Sequence, residues 1–390
     1  MKTCFIHSRV ISGRTLSDCA VVVEGEKILY VGEHPGALSG MRVIDGKGLY
    51  LSPGFVDIHV HGGGGCGVMD GSPDGICKMC KAHLMHGTTS ILPTTLAAPL
   101  PLLQKAILAV KAAAERQDFP TILGVHLEGP FLSPAQKGAQ SEDSIYPIEK
   151  DTVCTLLDTW DGIRMMGAAP ELAGIEYLAE ELKSRGITAS VAHSDAAFDE
   201  VKKAAALGFS DVTHLYSGCS TVTRKNGYRT AGVVEAGLLL DMLSVSVIAD
   251  LRHLPPALLA LIYKCKGPEK ISLITDALEP AGTDLAEGFA YRQKNGVMTV
   301  YEDGVMKLMD RTAFAGSVAT MDLAVRNMKE ALGLSMPEAV EMASETPARV
   351  VCAAGKGQIQ EGYDADLLLF DDTVDIRYCM CGGREVISRL

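Results

Sequence analysis

The sequence has no uninterrupted apolar run long enough to cross a bilayer, although 47% of its 390 residues are hydrophobic. Its first residues, MKTCFIHSRVISG, lack the apolar segment of a signal peptide, so we expect a cytoplasmic protein with no membrane partner. We also find no internal repeat and no low-complexity linker. These absences leave an ordinary globular protein with ample material for a core.

Basic residues are scarce relative to acidic ones. Lys and Arg number 36 against 48 Asp and Glu, which gives a formal net charge of −12. This balance disfavours nucleic acid or an anionic membrane surface as the main partner. We therefore expect no nucleic-acid partner, and an anionic ligand would need a local cluster of basic side chains.

Paired cysteine motifs are also lacking. The eleven cysteines are scattered along the chain, and CKMC (Cys77–Cys80) is the only CxxC motif, without the second pair of a zinc ribbon. We interpret the thiols as reduced and mostly buried. The cysteines thus indicate neither a disulfide scaffold nor a cysteine-ligated zinc site.

The sequence does contain a regular alternation of apolar segments and helical stretches. Sequences such as PLLQKAILAVKAAAERQ and GIEYLAEELKSRG separate most of the apolar segments. The eight segments are GFVDIHVH, TSILPTTL, TILGVHLEGP, IRMMGAAPE, ITASVAHSD, DVTHLYS, LSVSVIAD and ISLITDA. Eight buried strands with intervening helices predict an α/β protein with a (β/α)8 TIM barrel.

The two ends of the chain differ from this pattern. Residues 1–52 alternate in the manner of β-strands, and residues 355–390 do the same in GQIQEGYDADLLLFD and VDIRYCMCGGREVI. We predict that these two segments pair into one small β-sandwich domain. Residues 53–354 would then form the barrel domain.

Ionisable side chains end several of the predicted barrel strands. The set comprises His59, His61, Glu128, His193, His214 and Asp276. A TIM barrel carries its chemistry at the C-terminal ends of its strands, and strand residues two apart point the same way. His59 and His61 can therefore both face the barrel mouth. Histidine and carboxylate ligands around one ion are typical of a catalytic divalent-metal site.

Each of these residues also has a simpler structural interpretation. A single histidine in an apolar stretch is usually a core residue, and we assign structural roles to His7, His34, His83 and His86. Asp276 alone could cap a helix, and the four glycines after His61 could form a flexible turn. What favours a site is the coincidence of ionisable residues at the same end of at least five predicted strands.

The motifs resemble those of a known family. PGFVDIHVHG resembles the amidohydrolase superfamily, and HLEGPF, AHSDA, THLYS, IADLRH, ITDALEPAG and FAGS are together similar to N-acetylglucosamine-6-phosphate deacetylases. The similarity covers essentially the whole chain, including TPARV and GYDADLLLF. It implies a metal-dependent hydrolase that removes acetate from an N-acetyl amino sugar phosphate, with N-acetylglucosamine 6-phosphate as the leading candidate.

The resemblance also implies a set of metal ligands. Glu128, His193 and His214 would hold the main ion, and His59 and His61 would belong to a second position that only some members fill. The ion would be divalent, with zinc preferred and iron, manganese or cobalt also compatible with these ligands. Each subunit would hold one or two ions.

The same resemblance implies the catalytic and substrate-binding residues. Asp276 would act as general base and then general acid, and His253 would contact the substrate and polarise the acetyl carbonyl. The substrate-binding residues would be Ala139, Gln140, Ser217, Gly218, Arg224, Lys225, His253, Ala315, Gly316 and Ser317.

Several departures from the family pattern fall around the predicted sugar and phosphate. Gln140 in KGAQ replaces the histidine of KGAH or KGTH, and Ser217 and Gly218 replace an Asn-Ala pair. Lys225, beside Arg224, aligns with the family's phosphate-binding arginine, and lysine cannot grip a phosphate with two parallel bonds. The resemblance implies a homodimer in which such a basic residue reaches the neighbouring subunit's phosphate site.

Two alternatives remain beside this interpretation. The first is an amidohydrolase-superfamily deacylase that acts on a different N-acetylhexosamine or another N-acyl compound, which the HLEGP context of Glu128 disfavours. The second is a catalytically inactive scaffold. That hypothesis is disfavoured because every expected metal ligand and Asp276 are present.

Overall fold

The computed structural model describes residues 2–36, 38–116, 120–294 and 296–390. Its first region is made of β-strands, because short runs rich in Val, Ile and Tyr alternate there with Gly-containing turns. The strands are β1 (Lys2–Ile6), β2 (Arg9–Ser12), β3 (Thr15–Ser17), β4 (Ala20–Glu24), β5 (Lys27–Gly32), β6 (Arg42–Asp45) and β7 (Tyr50–Pro53).

Strands and helices alternate through the middle of the chain. The elements are β8 (Phe55–Val60), β9 (Gly62–Gly63), β10 (Cys66–Gly67), α1 (Pro73–Leu84), β11 (Thr88–Thr95), α2 (Leu100–Ala114), β12 (Thr121–Ile122), β13 (Val125–Glu128), α3 (Lys150–Leu157), β14 (Ile163–Ala168), α4 (Ile175–Ser184), β15 (Thr188–Val191), α5 (Phe198–Leu207), β16 (Phe209–Val212), β17 (Thr223–Lys225), β18 (Tyr228–Thr230), α6 (Val233–Leu239), β19 (Ser244–Ile248), α7 (Pro256–Lys266) and β20 (Ile271–Ile274). Helix α4 shows why these segments are helical, since its buried Ile175, Leu178, Ala179 and Leu182 recur at helical spacing.

The barrel is one parallel sheet whose strands follow the order of the chain. β8 pairs with β11, which pairs with β12 and β13, and the order continues through β14, β15, β16, β19 and β20. β12 and β13 are two pieces of one barrel strand, because both pair with β11. The ends of β20 and β8 meet where the Asp276 N–H donates to the His59 carbonyl at 2.9 Å. The predicted (β/α)8 barrel is confirmed.

The last part of the chain adds a small sheet, three helices and the C-terminal strands. The elements are β21 (Ala290–Arg292), β22 (Met298–Glu302), β23 (Val305–Leu308), α8 (Met321–Leu332), α9 (Met336–Ala343), α10 (Glu345–Val350), β24 (Leu367–Phe370), β25 (Ile376–Cys381) and β26 (Arg384–Ser388). β21, β22 and β23 form an antiparallel sheet of their own.

Strands from both chain ends form the small β-domain, as predicted. One sheet has the order β26-β25-β24-β7-β2-β3, and the other has the order β5-β4-β1-β6. β24 pairs antiparallel with β7, which joins the C-terminal segment to the N-terminal one. The rings of Phe5 and Tyr378 meet edge to face between the sheets, with centroids 5.6 Å apart. The boundaries at residues 52, 53, 354 and 355 stay a prediction.

Two further expectations concern the thiols and the membrane. All eleven cysteines are free and six of them are buried. Within the described ranges, no helix has both the length and the apolar character that a membrane span needs.

Candidate active site

Glu128, at the end of β13, lies at the centre of a buried cluster at the barrel mouth. Its Oε1 atom lies 2.8 Å from Nε2 of His214 and 3.1 Å from Nε2 of His193. Nε2 of His59 lies 3.5 Å from the same oxygen. Burial alone would raise the pKa of Glu128, but the charges of His59 and His193 outweigh it and hold that pKa well below its usual range.

Asp276 forms the other half of the cluster. Its Oδ1 atom lies 3.1 Å from Nε2 of His61 and 3.4 Å from Nε2 of His59. Burial acts to raise the pKa of Asp276, but its hydrogen bonds with the two imidazoles lower it overall. Burial would lower the pKa of His61, yet the hydrogen bond to Asp276 and the charge of Glu128 raise it to about 9. Both carboxylates are therefore ionised at neutral pH.

Three imidazoles of the cluster are oriented by their second ring nitrogen, which faces a backbone carbonyl. The pairs are Nδ1 of His61 with the Thr94 carbonyl (3.1 Å), Nδ1 of His193 with the Gln136 carbonyl (2.8 Å) and Nδ1 of His214 with the Ser217 carbonyl (3.1 Å). A carbonyl can only accept, so Nδ1 carries the hydrogen in each case. The lone pair of a neutral imidazole then lies on Nε2, towards the carboxylates.

This arrangement fits a divalent metal ion. Nε2 lone pairs and carboxylate oxygens are all acceptors, so their approach to 2.8–3.5 Å needs a cation between them, either a proton or a metal. Ligand atoms arranged tetrahedrally about 2.0–2.1 Å from zinc lie roughly 3.3 Å apart, close to these separations. The structure contains two groups of three residues whose ligand atoms all lie within 4.8 Å of one another. One group is His59, Glu128 and His214, and the other is His59, His61 and Asp276.

The backbone is strained where three of these residues leave the barrel. His193, His214 and Asp276 have φ angles of 44°, 31° and 48°, in the left-handed region that non-glycine residues rarely adopt. Each lies two residues beyond the end of its strand, β15, β16 or β20. Such conformations cost on the order of 1–3 kcal/mol each and are concentrated at functional sites. The turn brings each side chain over the mouth.

A cavity of about 320 Å³ opens next to the cluster, and His61, Glu128, His193, His214 and Asp276 all reach it. Most of the predicted substrate-binding residues line it as well: Ala139, Gln140, Ser217, Gly218, His253, Ala315 and Gly316. Glycine is required at position 218 because the backbone there passes close to His193, and a Cβ would lie 2.6 Å from its Nδ1 atom.

The structure places three other predicted substrate-binding residues away from this cavity. Ser317 is buried, and its hydroxyl donates to the Thr275 carbonyl at 2.5 Å, so the side chain is used inside the protein. Arg224 and Lys225 lie on the exposed β17–β18 hairpin, and within the described part of this chain they do not line the cavity.

His253 has a buried carboxylate partner that the sequence interpretation missed. Nδ1 of His253 lies 2.7 Å from Oδ2 of Asp250, and Oδ1 of Asp250 accepts the backbone N–H groups of Arg252 and His253 at 2.8 Å each. Because a carboxylate only accepts, Nδ1 carries a hydrogen, and this contact fixes the orientation of the ring. The only signal in the sequence is the Asp three residues before the His in IADLRH.

Gln140 is a buried residue of the cavity wall, and it faces the metal ligand Glu128. Its Nε2 donates to Oε2 of Glu128 at 2.6 Å, and its Oε1 accepts the backbone N–H of Ala97 at 2.8 Å. The side chain is only 5% exposed. The resemblance implied a sugar contact at this position, whereas both ends of the amide are engaged within the protein.

Two other polar residues near the cluster were not predicted. Asp57 accepts the Thr275 hydroxyl at 2.6 Å and so ties the first barrel strand to the last, and burial raises its pKa to about 7. His126, two residues before Glu128, packs edge to face against His59 with ring centroids 4.8 Å apart. Both lie in the quoted strand motifs, but a sequence pattern cannot indicate which strand they contact.

Four histidines outside the cluster were predicted to be structural. His83 is buried and donates to the Gly62 carbonyl at 2.8 Å, and burial lowers its pKa to about 4. His86 bonds Asp322 at 3.0 Å. His7 and His34 are exposed, so a core position was wrong for these two, and His7 pairs with the surface carboxylate of Asp45.

The barrel and its imidazole–carboxylate cluster define a class of metal-dependent hydrolase. The chain belongs to the amidohydrolase family, whose family model matches residues 50–386. It is 32% identical over 364 residues to the N-acetylglucosamine-6-phosphate deacetylase of Lysinibacillus sphaericus, covering 92% of this chain and 90% of that protein. The resemblance described from the motifs is thereby confirmed.

Two further similarities extend this result. The chain is 34% identical over 324 residues to the N-acetylgalactosamine-6-phosphate deacetylase of Shewanella sp. (strain ANA-3), covering 83% of this chain and 79% of that one. The crystal structure of N-acetylglucosamine-6-phosphate deacetylase from Pasteurella multocida matches it with a TM-score of 0.92 at 27% identity, and the match covers 100% of both chains.

Proposed function

We propose that this protein hydrolyses the acetamide of an N-acetyl amino sugar phosphate, releasing acetate and the free amino sugar. N-acetylglucosamine 6-phosphate is the leading substrate. The observation that carries this proposal is the convergence of Glu128, Asp276 and the imidazoles of His61, His193 and His214 on one cavity at the barrel mouth. The named relatives, which include deacetylases of two different hexosamine phosphates, support it. A cytoplasmic location stays a prediction.

We propose a divalent metal, with zinc preferred and iron, manganese or cobalt compatible, at one or two positions per subunit. Glu128, His193 and His214 would hold the main ion, and His59 and His61 would serve the second position. Bound there, such an ion lowers the pKa of a water molecule to about 7 and polarises an acyl oxygen.

The remaining chemistry is proton transfer by Asp276. This carboxylate is ionised because of its hydrogen bonds to His59 and His61, and it lines the cavity, so it can accept a proton from the attacking water. It then returns the proton to the amide nitrogen, because a neutral amine leaves far more readily than its anion. Asp276 thus serves first as base and then as acid.

His253 stabilises the charge that develops on the acyl oxygen. Asp250 holds its ring by the 2.7 Å contact at Nδ1, and His253 lines the cavity. A polar group that is held in place in this way stabilises a transition state because it does not have to reorient during the reaction.

The phosphate site is proposed to be shared between two subunits of a homodimer. Arg224, Lys225 and Arg229 on the β17–β18 hairpin are exposed and lie outside their own cavity. Apolar side chains are exposed in the same stretch of chain, with Tyr228 at 80% and Leu239 at 71%. A second copy of the chain would cover these side chains and receive the basic hairpin.

We expect Arg224→Ala with Lys225→Ala to raise KM for the phosphorylated substrate about 10- to 100-fold, since hydrogen bonds to charged groups contribute about 1.5–3 kcal/mol. Lys183→Ala, an exposed lysine on α4, serves as the control. Mixing this double variant with Asp276→Asn should restore activity, because a mixed dimer contains one site with both elements intact. A fully active monomer in light scattering would contradict the shared site.

The substrate prediction is tested by acetate release from N-acetylglucosamine, N-acetylgalactosamine and their 6-phosphates. We expect kcat/KM for the phosphorylated sugars to be at least about 10-fold higher, because each hydrogen bond between the phosphate and a basic side chain contributes about 1.5–3 kcal/mol. The Ser217→Asn variant, which replaces the single hydroxyl with the amide found in the family, is assayed with both phosphorylated sugars to test whether this position discriminates between them. Preference for an unphosphorylated sugar or another N-acyl compound would favour the first alternative, and no turnover by a metal-loaded protein would favour the inactive scaffold.

A further inference from the structure

We propose that Gln140 is a positioning residue for the metal ligand Glu128 and not a contact of the sugar, an inference that rests on the metal site of the proposed function. Its amide fixes which carboxylate oxygen faces the imidazoles of His193 and His214. The geometry points to this role because both ends of the amide are engaged inside the protein, at 2.6 Å and 2.8 Å.

The orientation of the amide follows from its two partners. The Ala97 N–H can only donate, so it must face Oε1 of Gln140, and the ionised Glu128 can only accept, so it must face Nε2. Ala97 lies just beyond the end of β11, and Glu128 ends β13. The buried amide therefore ties the segment after β13 to the end of the neighbouring strand.

The consequence for Glu128 is that its two oxygens have different tasks. Oε2 accepts from Gln140 and lies 3.4 Å from Nε2 of His61, whereas Oε1 lies 2.8 Å and 3.1 Å from Nε2 of His214 and His193. Without the amide, Oε2 would be a buried acceptor lacking its closest donor, and the carboxylate could rotate about its terminal bond. Loss of an outer hydrogen-bond partner of a metal ligand typically costs about 10- to 100-fold in metal affinity.

The two roles for Gln140 make different predictions. If Gln140 contacts the sugar, its replacement should raise KM and change the discrimination between hexosamines, with metal binding unchanged. If Gln140 positions Glu128, its replacement should weaken metal binding. It should also lower kcat when metal is limiting, and kcat should recover when metal is in excess.

The experiment compares Gln140→Met, which keeps the length but removes both polar ends, with Gln140→Leu and with Gln140→His, which keeps one N–H donor. Each metal-free protein is titrated with Zn²⁺ against a competing chelating dye. We expect the Met and Leu variants to bind Zn²⁺ about 10- to 100-fold more weakly than wild type, with the His variant in between. KM for the sugar phosphate, measured with excess Zn²⁺, should stay within about threefold of wild type.

Gln104→Leu, the same chemical change on the outer helix α2, is the matched control and should bind Zn²⁺ as wild type does. Thermal unfolding of the metal-free proteins identifies any variant that fails to fold. If the Leu variant does not fold, the Met variant alone provides the test. Wild-type Zn²⁺ affinity in the Met variant, together with a raised KM, would overturn the proposal in favour of a sugar contact. If the wild type binds Zn²⁺ but hydrolyses no N-acetylated sugar, the proposed function fails while the titration still tests Gln140.

Discussion

Asp276→Asn is expected to lower kcat by about 10²–10⁴-fold while leaving the fold and the bound metal in place, because that is the usual contribution of a general base. The amide has the same shape as the carboxylate but cannot accept the proton of the attacking water. The backbone should tolerate the change, since Asp276 has a φ of 48° and asparagine enters the left-handed region as readily as aspartate.

The measurement is single-turnover acetate release together with metal content and thermal unfolding. Asp303→Asn is a matched control, because Asp303 has a φ of 57° but lies exposed in the turn between β22 and β23. It should retain wild-type activity. A rate above about a tenth of wild type in Asp276→Asn would exceed what loss of a general base allows and would assign proton transfer to another group.

The barrel and the cluster could be predicted from the sequence because both depend on local patterns. Each buried strand is a short apolar run, and the barrel brings the ends of all its strands to one mouth. His59, His61, Glu128, His193, His214 and Asp276 could therefore be grouped without knowledge of their distances. The two imidazoles at residues 59 and 61 are adjacent in the structure, with Nε2 atoms 3.2 Å apart.

What could not be predicted is which neighbour each polar side chain contacts. Gln140 lies in a loop with no periodicity, and only the tertiary structure turns its amide towards Glu128 and Ala97. Gln293 lines the cavity from the β21–β23 sheet, an insertion with no motif to mark it. The FAGS motif at residues 314–317 was interpreted as part of the sugar site, but the Ser317 hydroxyl turns inward to a backbone carbonyl.

Glu128→Gln is expected to weaken binding of the main metal ion by about 10²–10³-fold and to abolish turnover at low metal concentration. Zinc sites bound with about 10–16 kcal/mol by four ligands gain roughly 2.5–4 kcal/mol from each, and 1.4 kcal/mol corresponds to a factor of ten. Oε1 of Glu128 contacts both His214 and His193, so the change removes the negative charge that these imidazoles share.

The companion variant, His59→Ala with His61→Ala, separates the two positions. We expect this variant to lose the second position. Metal analysis should show that the main ion, held by Glu128, His193 and His214, is retained. The geometry makes this test demanding, because Nε2 of His59 lies 3.5 Å from Oε1 of Glu128 as well as 3.4 Å from Oδ1 of Asp276. If the double variant loses all metal and all activity together, His59 belongs to the main site. The hypothesis that a single ion is held without the HxH pair would then be wrong.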